Sequence, residues 1–228
     1  MTLDTNKLQS KLYDCIAKSD YNNAQEILNS FNSENLLIKR VINSLLIASN
    51  PNILSFAYFL WRTGNSLSVT EFFPKEFVNI LDGGFKTITN QRYDVPLKLG
   101  TGTDGDGDHT AYGGTADTDR LSWKFVPSEY GNVIFFTIYN KAYNVPLKLG
   151  TGTDGDGDHT AYGGAADTDR CSWLLVPRQY DNNTLFTIYN KAYNVPLKLG
   201  TGTDSDGDHT AYGGAADTER CSWQINSI

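Results

Sequence analysis

No run in this 228-residue chain is long and apolar enough to suggest a membrane-crossing helix. The first residues, Met1 to Asn6, lack the apolar core of a secretory signal. An intracellular protein is therefore expected, or a mature chain from which a signal has been removed. Cysteine is scarce and odd in number: Cys15, Cys171 and Cys221 give no disulfide framework. Cys171 and Cys221 each precede Ser-Trp, where an equivalent stretch has Leu121. A position that accepts leucine reads as buried, so these thiols are expected inside. Basic charge is in deficit. Net charge is −7, with 19 Lys and Arg against 26 Asp and Glu, and most of the excess acid falls after residue 82. That balance argues against nucleic acid and against an anionic membrane as partners. Histidine occurs 3 times, always in the same local sequence. No cysteine is placed beside a histidine, and neither a Gly-x-Ser-x-Gly elbow nor a metalloprotease helix motif is present. No enzymatic activity and no cofactor are expected.

What the chain has in abundance is one sentence said three times. Tyr143 opens Tyr-Asn-Val-Pro-Leu-Lys-Leu-Gly-Thr-Gly-Thr-Asp-Gly-Asp-Gly-Asp-His-Thr-Ala-Tyr-Gly-Gly; near-copies open at Tyr93 and Tyr193, fifty residues to either side. A fixed period of this size decides the fold. Each copy holds two short apolar runs, Pro-Leu-Lys-Leu and Thr-Ala-Tyr, around a Gly/Asp loop, which reads as a hairpin. Each unit can be laid out as four strands. In the second they are residues 135–139, 145–149, 160–162 and 171–176. Three units of four give twelve strands, the arithmetic of a β-trefoil, a barrel that leaves no exposed edge. Trp123, Trp173 and Trp223 would then fill the barrel, while Tyr112, Tyr162 and Tyr212 fill the cap layer or line a surface pocket.

Residues 3–82 show no repeat. Leu8, Leu12 and Ile16 recur at helical spacing, and further apolar faces place helices near residues 20–31, 33–47, 53–62, 68–73 and 74–81. Trp61, Phe56, Tyr58, Phe59, Phe72, Phe73 and Phe77 read as the core of a small helical bundle, with an apolar ligand groove as the alternative. The expected fold class is α+β multidomain: an N-terminal all-α helical bundle over residues 1–82, then a β-trefoil of three 50-residue repeats over residues 83–228.

The order of these features carries a resemblance. The helical head, Trp61-Arg-Thr-Gly, Glu71-Phe-Phe-Pro, and repeats bearing Gly-Asp-His-Thr-Ala-Tyr-Gly and Ser-Trp resemble the lepidopteran low-molecular-weight lipoproteins, the 30K haemolymph proteins. The resemblance covers essentially the whole chain. It implies an all-α domain followed by a β-trefoil, an extracellular haemolymph or fat-body protein, and roles in storage, lipid association, or glucose and glucan binding. On that implication Asn182-Asn-Thr184, the one N-glycosylation sequon, becomes relevant.

The Asp loop is where chemistry is expected. A sugar site suits it: carboxylates accept from hydroxyls, histidine donates or accepts, and a tyrosine face stacks on a pyranose. The candidates are Asp106, Asp108, His109 and Tyr112; Asp156, Asp158, His159 and Tyr162; Asp206, Asp208, His209 and Tyr212. Three weak sites on one rigid body would give avidity for a polysaccharide. A calcium site is the second reading, drawing on Asp104, Asp106 and Asp108, on Asp154, Asp156 and Asp158, and on Asp204, Asp206 and Asp208. The loop departs from an EF-hand, with His109 at position 6 and Thr115 at position 12. Both stand against the plain reading of the loop, a solvated Gly/Asp hairpin that binds nothing. Repeats two and three, from Phe136 to Trp173 and from Phe186 to Trp223, differ only at Gly155/Ser205 and Asp169/Glu219. Shared function and recent duplication both account for that identity. A monomer that binds glucan or another polysaccharide is expected, with lipid carriage as the alternative.

Overall fold

The structure, a computed structural model, describes residues 5–31, 35–165, 167–181, 183–215 and 217–228. The expected helix start at Ser33 and the sequon asparagine Asn182 lie outside them. Among the described residues six helices come first: α1 (Thr5–Ala17), α2 (Tyr21–Ser30), α3 (Asn35–Ile47), α4 (Asn52–Arg62), α5 (Ser66–Phe72) and α6 (Lys75–Leu81). Pro74, which cannot donate a helical hydrogen bond, separates the last two. Among the described residues no helix is long and apolar enough to span a membrane.

Twelve strands follow among the described residues. The first unit contributes β1 (Phe85–Asn90), β2 (Leu97–Leu99), β3 (His109–Gly113) and β4 (Trp123–Tyr130). The second contributes β5 (Val133–Asn140), β6 (Leu147–Thr153), β7 (His159–Gly163) and β8 (Ser172–Tyr180). The third contributes β9 (Asn183–Asn190), β10 (Leu197–Leu199), β11 (His209–Gly213) and β12 (Ser222–Ser227). Strands β1, β12, β9, β8, β5 and β4 close into an antiparallel barrel. The hairpins β2–β3, β6–β7 and β10–β11 form a second layer, in which β3, β7 and β11 pair with one another in a ring. His109 stands opposite Gly163, His159 opposite Gly213, and His209 opposite Gly113.

Alternation along the strands explains the core. In β5, Ile134, Phe136, Ile138 and Asn140 point inward and their neighbours do not. Trp123, Trp173 and Trp223 are completely buried, and each indole N–H donates to the carbonyl of Leu97, Leu147 or Leu197 at 2.9 Å. A buried indole keeps its hydrogen bond while filling the barrel. Asn90, Asn140 and Asn190 perform the matching polar task, donating to the carbonyls of Arg220, Arg120 and Arg170 at 2.8 Å. Cys171 and Cys221 are buried.

The expected fold class, an all-α helical bundle followed by a β-trefoil, needs correction. The molecule is mainly antiparallel β-sheet, and its six short helices do not make a bundle of their own. Their apolar faces belong to the same continuous core as the barrel. The join runs through rings: Phe56 meets Phe73, Phe73 meets Phe77, and Phe77 meets Phe186 of β9 at 6.0 Å. A polar link adds to it, with the Ile134 N–H donating to Ser55 Oγ at 3.1 Å. Helices of seven to thirteen residues have little stability alone and need an apolar surface to cover.

Candidate functional site

Each Asp loop is braced by its first aspartate. Asp104 Oδ1 accepts from the N–H groups of Asp106 and Asp108 at 2.9 and 3.0 Å. Its own N–H donates to the Asp108 carbonyl at 2.9 Å. Gly107 takes φ +81°, a left-handed conformation that suits glycine, to complete the turn. Asp154 and Asp204 repeat this geometry.

The third aspartate leaves its own repeat. Asp108 Oδ2 meets Lys148 Nζ at 2.5 Å, Asp158 meets Lys198 at 2.5 Å, and Asp208 meets Lys98. The contacts close a ring: first repeat to second, second to third, third to first. Each ammonium also donates to a carbonyl, of Thr115, Ala165 or Ala215. The lysine side chains are only 6 to 8% exposed. A Cβ at Gly114 would collide with the Asp208 carboxylate, as would one at Gly164 with Asp108 and one at Gly214 with Asp158. The Gly-Gly pair is what lets the carboxylate approach.

The histidines follow the same ring. His109 Nδ1 lies 3.0 Å from the Gly100 carbonyl, so this nitrogen carries the proton. The imidazole stacks on Tyr143 of the next repeat, centroids 3.7 Å apart. His159 stacks on Tyr193, and His209 on Tyr93. The residues expected to bind therefore include six, Asp108, Asp158, Asp208, His109, His159 and His209, that clasp neighbouring repeats.

Asp106, Asp156 and Asp206 remain exposed on the loop tips. Tyr112, Tyr162 and Tyr212 are half-buried, each ring lying over Gly100, Gly150 or Gly200. These two groups meet across repeats. A cleft of about 630 Å³ joins Lys98, Tyr112 and Arg120 of the first repeat to Asp204, Asp206 and Asp208 of the third. Another, of about 840 Å³, joins Lys198, Tyr212 and Arg220 to Asp154, Asp156 and Asp158. The expected grouping on one hairpin, Asp106 with Tyr112, gives way to Asp206 with Tyr112 and Asp156 with Tyr212. At the remaining interface β6 runs on, pairing Thr153 with His159.

Arginine lines both clefts, Arg120 in one and Arg220 in the other. Arg120 Nε donates to Asp117 Oδ2 at 2.6 Å, and Nη1 to the Leu99 carbonyl at 3.3 Å. The hydrogen bond from Arg120 holds the Asp117 carboxyl below the usual carboxylate range; Arg170 and Arg220 do the same for Asp167 and Asp217. The lysines were missed altogether. Their signal was a lysine between two buried leucines in all three copies of Leu-Lys-Leu.

Carboxylate oxygens of Asp104, Asp106 and Asp108 come within 4.8 Å of one another, as do those of Asp204, Asp206 and Asp208. Two of the six oxygens in each set are already engaged, one by backbone N–H groups and one by an ammonium. Calcium takes six to eight oxygens.

Barrel, hairpin ring and inter-repeat clefts define a threefold repeat protein. The sequence matches the lepidopteran low molecular weight (30 kD) lipoprotein family over residues 6–227, and the chain belongs to that family. A Bombyx mori relative, low molecular mass lipoprotein PBMHPC-23, is 34% identical over 140 residues, 60% of this chain and 53% of the relative. Microvitellogenin of Manduca sexta is 40% identical over 102 residues, 44% of this chain and 41% of the relative. The chain spans about half the length of the curated relatives it matches. Among solved structures, an SDF2-like protein from Arabidopsis thaliana superposes with a TM-score of 0.53 at 11% identity, covering 63% of this chain and 93% of that one. A Caenorhabditis elegans protein of unknown function gives 0.52 at 11% identity, with the same coverage. These two likenesses concern the fold alone.

Proposed function

We propose that this family member is a non-enzymatic, extracellular carbohydrate-binding protein that recognises glucan or a similar polysaccharide through the clefts between its repeats. One observation carries the reading: a tyrosine face, an arginine and exposed carboxylates converge twice in the same arrangement. A pyranose offers an apolar face for the ring and hydroxyls that both donate and accept. The carboxylates take the donated bonds, and Arg120 and Arg220 supply donors. The test is retention on insoluble β-glucan, with calcium and with EDTA. Saturable retention, competed by soluble sugar and lost in the combined variant Tyr112→Ala, Tyr162→Ala, Tyr212→Ala, supports the reading. Absence of retention in both arms sinks it. Loss with EDTA alone would turn the Asp loops into a calcium bridge.

A second reading, carriage of a small apolar cargo as the family description of lipoproteins suggests, is favoured by a cavity where the helices meet the barrel.

A further inference from the structure

Far in sequence from the Asp loops, a cavity of about 670 Å³ opens between the α1–α2 turn, α4 and the β4–β5 hairpin. Its apolar wall includes Tyr58 and Phe59 of α4. Tyr21, the first residue of α2, lines it and is only 7% exposed. The Tyr21 ring is held by Phe56 and Phe59, at 5.8 and 5.9 Å. Among the described residues, Tyr21 Oη is the one buried side-chain polar atom without a hydrogen-bond partner. Burial pushes the phenol pKa up; the Ser19 and Ser55 hydroxyls come close enough to temper that push without meeting the geometry of a hydrogen bond, so the group keeps its proton at neutral pH and has no acceptor for it. Ser55 Oγ is already accepting the Ile134 N–H. A buried hydroxyl with no partner costs free energy, about 1–3 kcal/mol, and such groups call for a reason.

Charge at the cavity balances. Lys18 and Arg62 stand against Asp20 and Glu129, and Arg62 is paired with Glu129 at 2.8 Å. The site thus selects for neither sign. We infer that this cavity binds a neutral amphiphile: an aromatic or aliphatic body lies against Phe59 and Tyr58, and a hydroxyl or carbonyl oxygen accepts the hydrogen bond of Tyr21. The inference deepens the cargo reading and rests on it; it is independent of the sugar clefts.

Equilibrium dialysis of the full chain with 2-naphthol, and with naphthalene as the probe lacking an oxygen, tests it. Wild type binds both saturably. Tyr21→Phe weakens 2-naphthol about fivefold, the size of one neutral hydrogen bond, and leaves naphthalene unchanged. The ligand-free Tyr21→Phe protein melts no lower than wild type, because nothing is lost with the hydroxyl. If wild type binds neither probe, the inference and the cargo reading at this cavity fall together. If 2-naphthol binds Tyr21→Phe as tightly as wild type, the cargo reading stands and the tyrosine anchor is overturned. A lower melting temperature for the ligand-free variant also overturns it, since the hydroxyl would then have a partner in the protein.

Discussion

At the scale of single residues, the Asp–Lys ring is the feature with the largest stakes. Two charges taken from water repay their desolvation only while paired, and removing one partner strands the other. Lys148→Met leaves Asp108 nearly buried without its cation, and should cost about 3–5 kcal/mol in urea unfolding. Adding Asp108→Leu should recover most of that loss, because no charge is then left behind. If the single variant unfolds like wild type, the pair is not holding the repeats together. The exposed Asp–Arg pairs act differently, through pH. A carboxyl whose folded pKa is depressed stabilises the fold above its unfolded value, and the contribution fades as pH falls through the folded value. Asp117, Asp167 and Asp217 are depressed in this way by their arginines. Compared with a variant carrying Arg120→Gln, Arg170→Gln and Arg220→Gln, wild type should therefore show its widest melting-temperature advantage above about pH 4. That advantage should shrink in more acid solution. An advantage independent of pH would mean that the arginines act through the Leu99-type carbonyl bonds alone.

Elements were legible to the extent that their partners were local. Helix α1, expected from the spacing of Leu8, Leu12 and Ile16, is found at Thr5–Ala17, because its apolar spacing is written entirely within it. The strands were found because the same short signal recurs every fifty residues. Their lengths were not: β4, β5, β8 and β9 run out to long ribbons, whose polar tips at Tyr130 and Tyr180 show no apolar alternation. What covers each helix was also not written locally. Phe77 looks the same in sequence whether it faces another helix or Phe186 of the barrel. The site suffered a sharper version of this ambiguity. With near-identical repeats, Asp108 beside Lys98 and Asp108 beside Lys148 are indistinguishable in sequence, so residue types were readable and their pairing was not. Substituting Phe77→Ala tests the shared core. It should cost about 3–5 kcal/mol, as for other buried aromatics. Because the core is continuous, calorimetry should show one unfolding transition, shifted as a whole. Two transitions, of which only the first moves, would mean that the helices unfold by themselves.

For the whole molecule, the ring of clasps fixes where the clefts face, and that geometry decides what multivalency can do. Each of the two clefts takes its floor from one repeat and its acid rim from the preceding one, so neither is built by a single repeat. Damage to one tyrosine should then leave the other cleft intact, since the clasping residues are not touched. With a soluble monosaccharide, Tyr212→Ala should lower the number of binding sites by one and leave the affinity of the rest unchanged. With a long glucan the same variant should do far more harm. A segment bound at one cleft raises the effective concentration of the same polymer at the other, and losing a point of attachment removes that gain, a factor of about 10² or more. Titration of both ligands on both proteins separates these cases. Equal losses on sugar and polymer would mean that the clefts bind one at a time, and the threefold repeat would then reflect duplication alone.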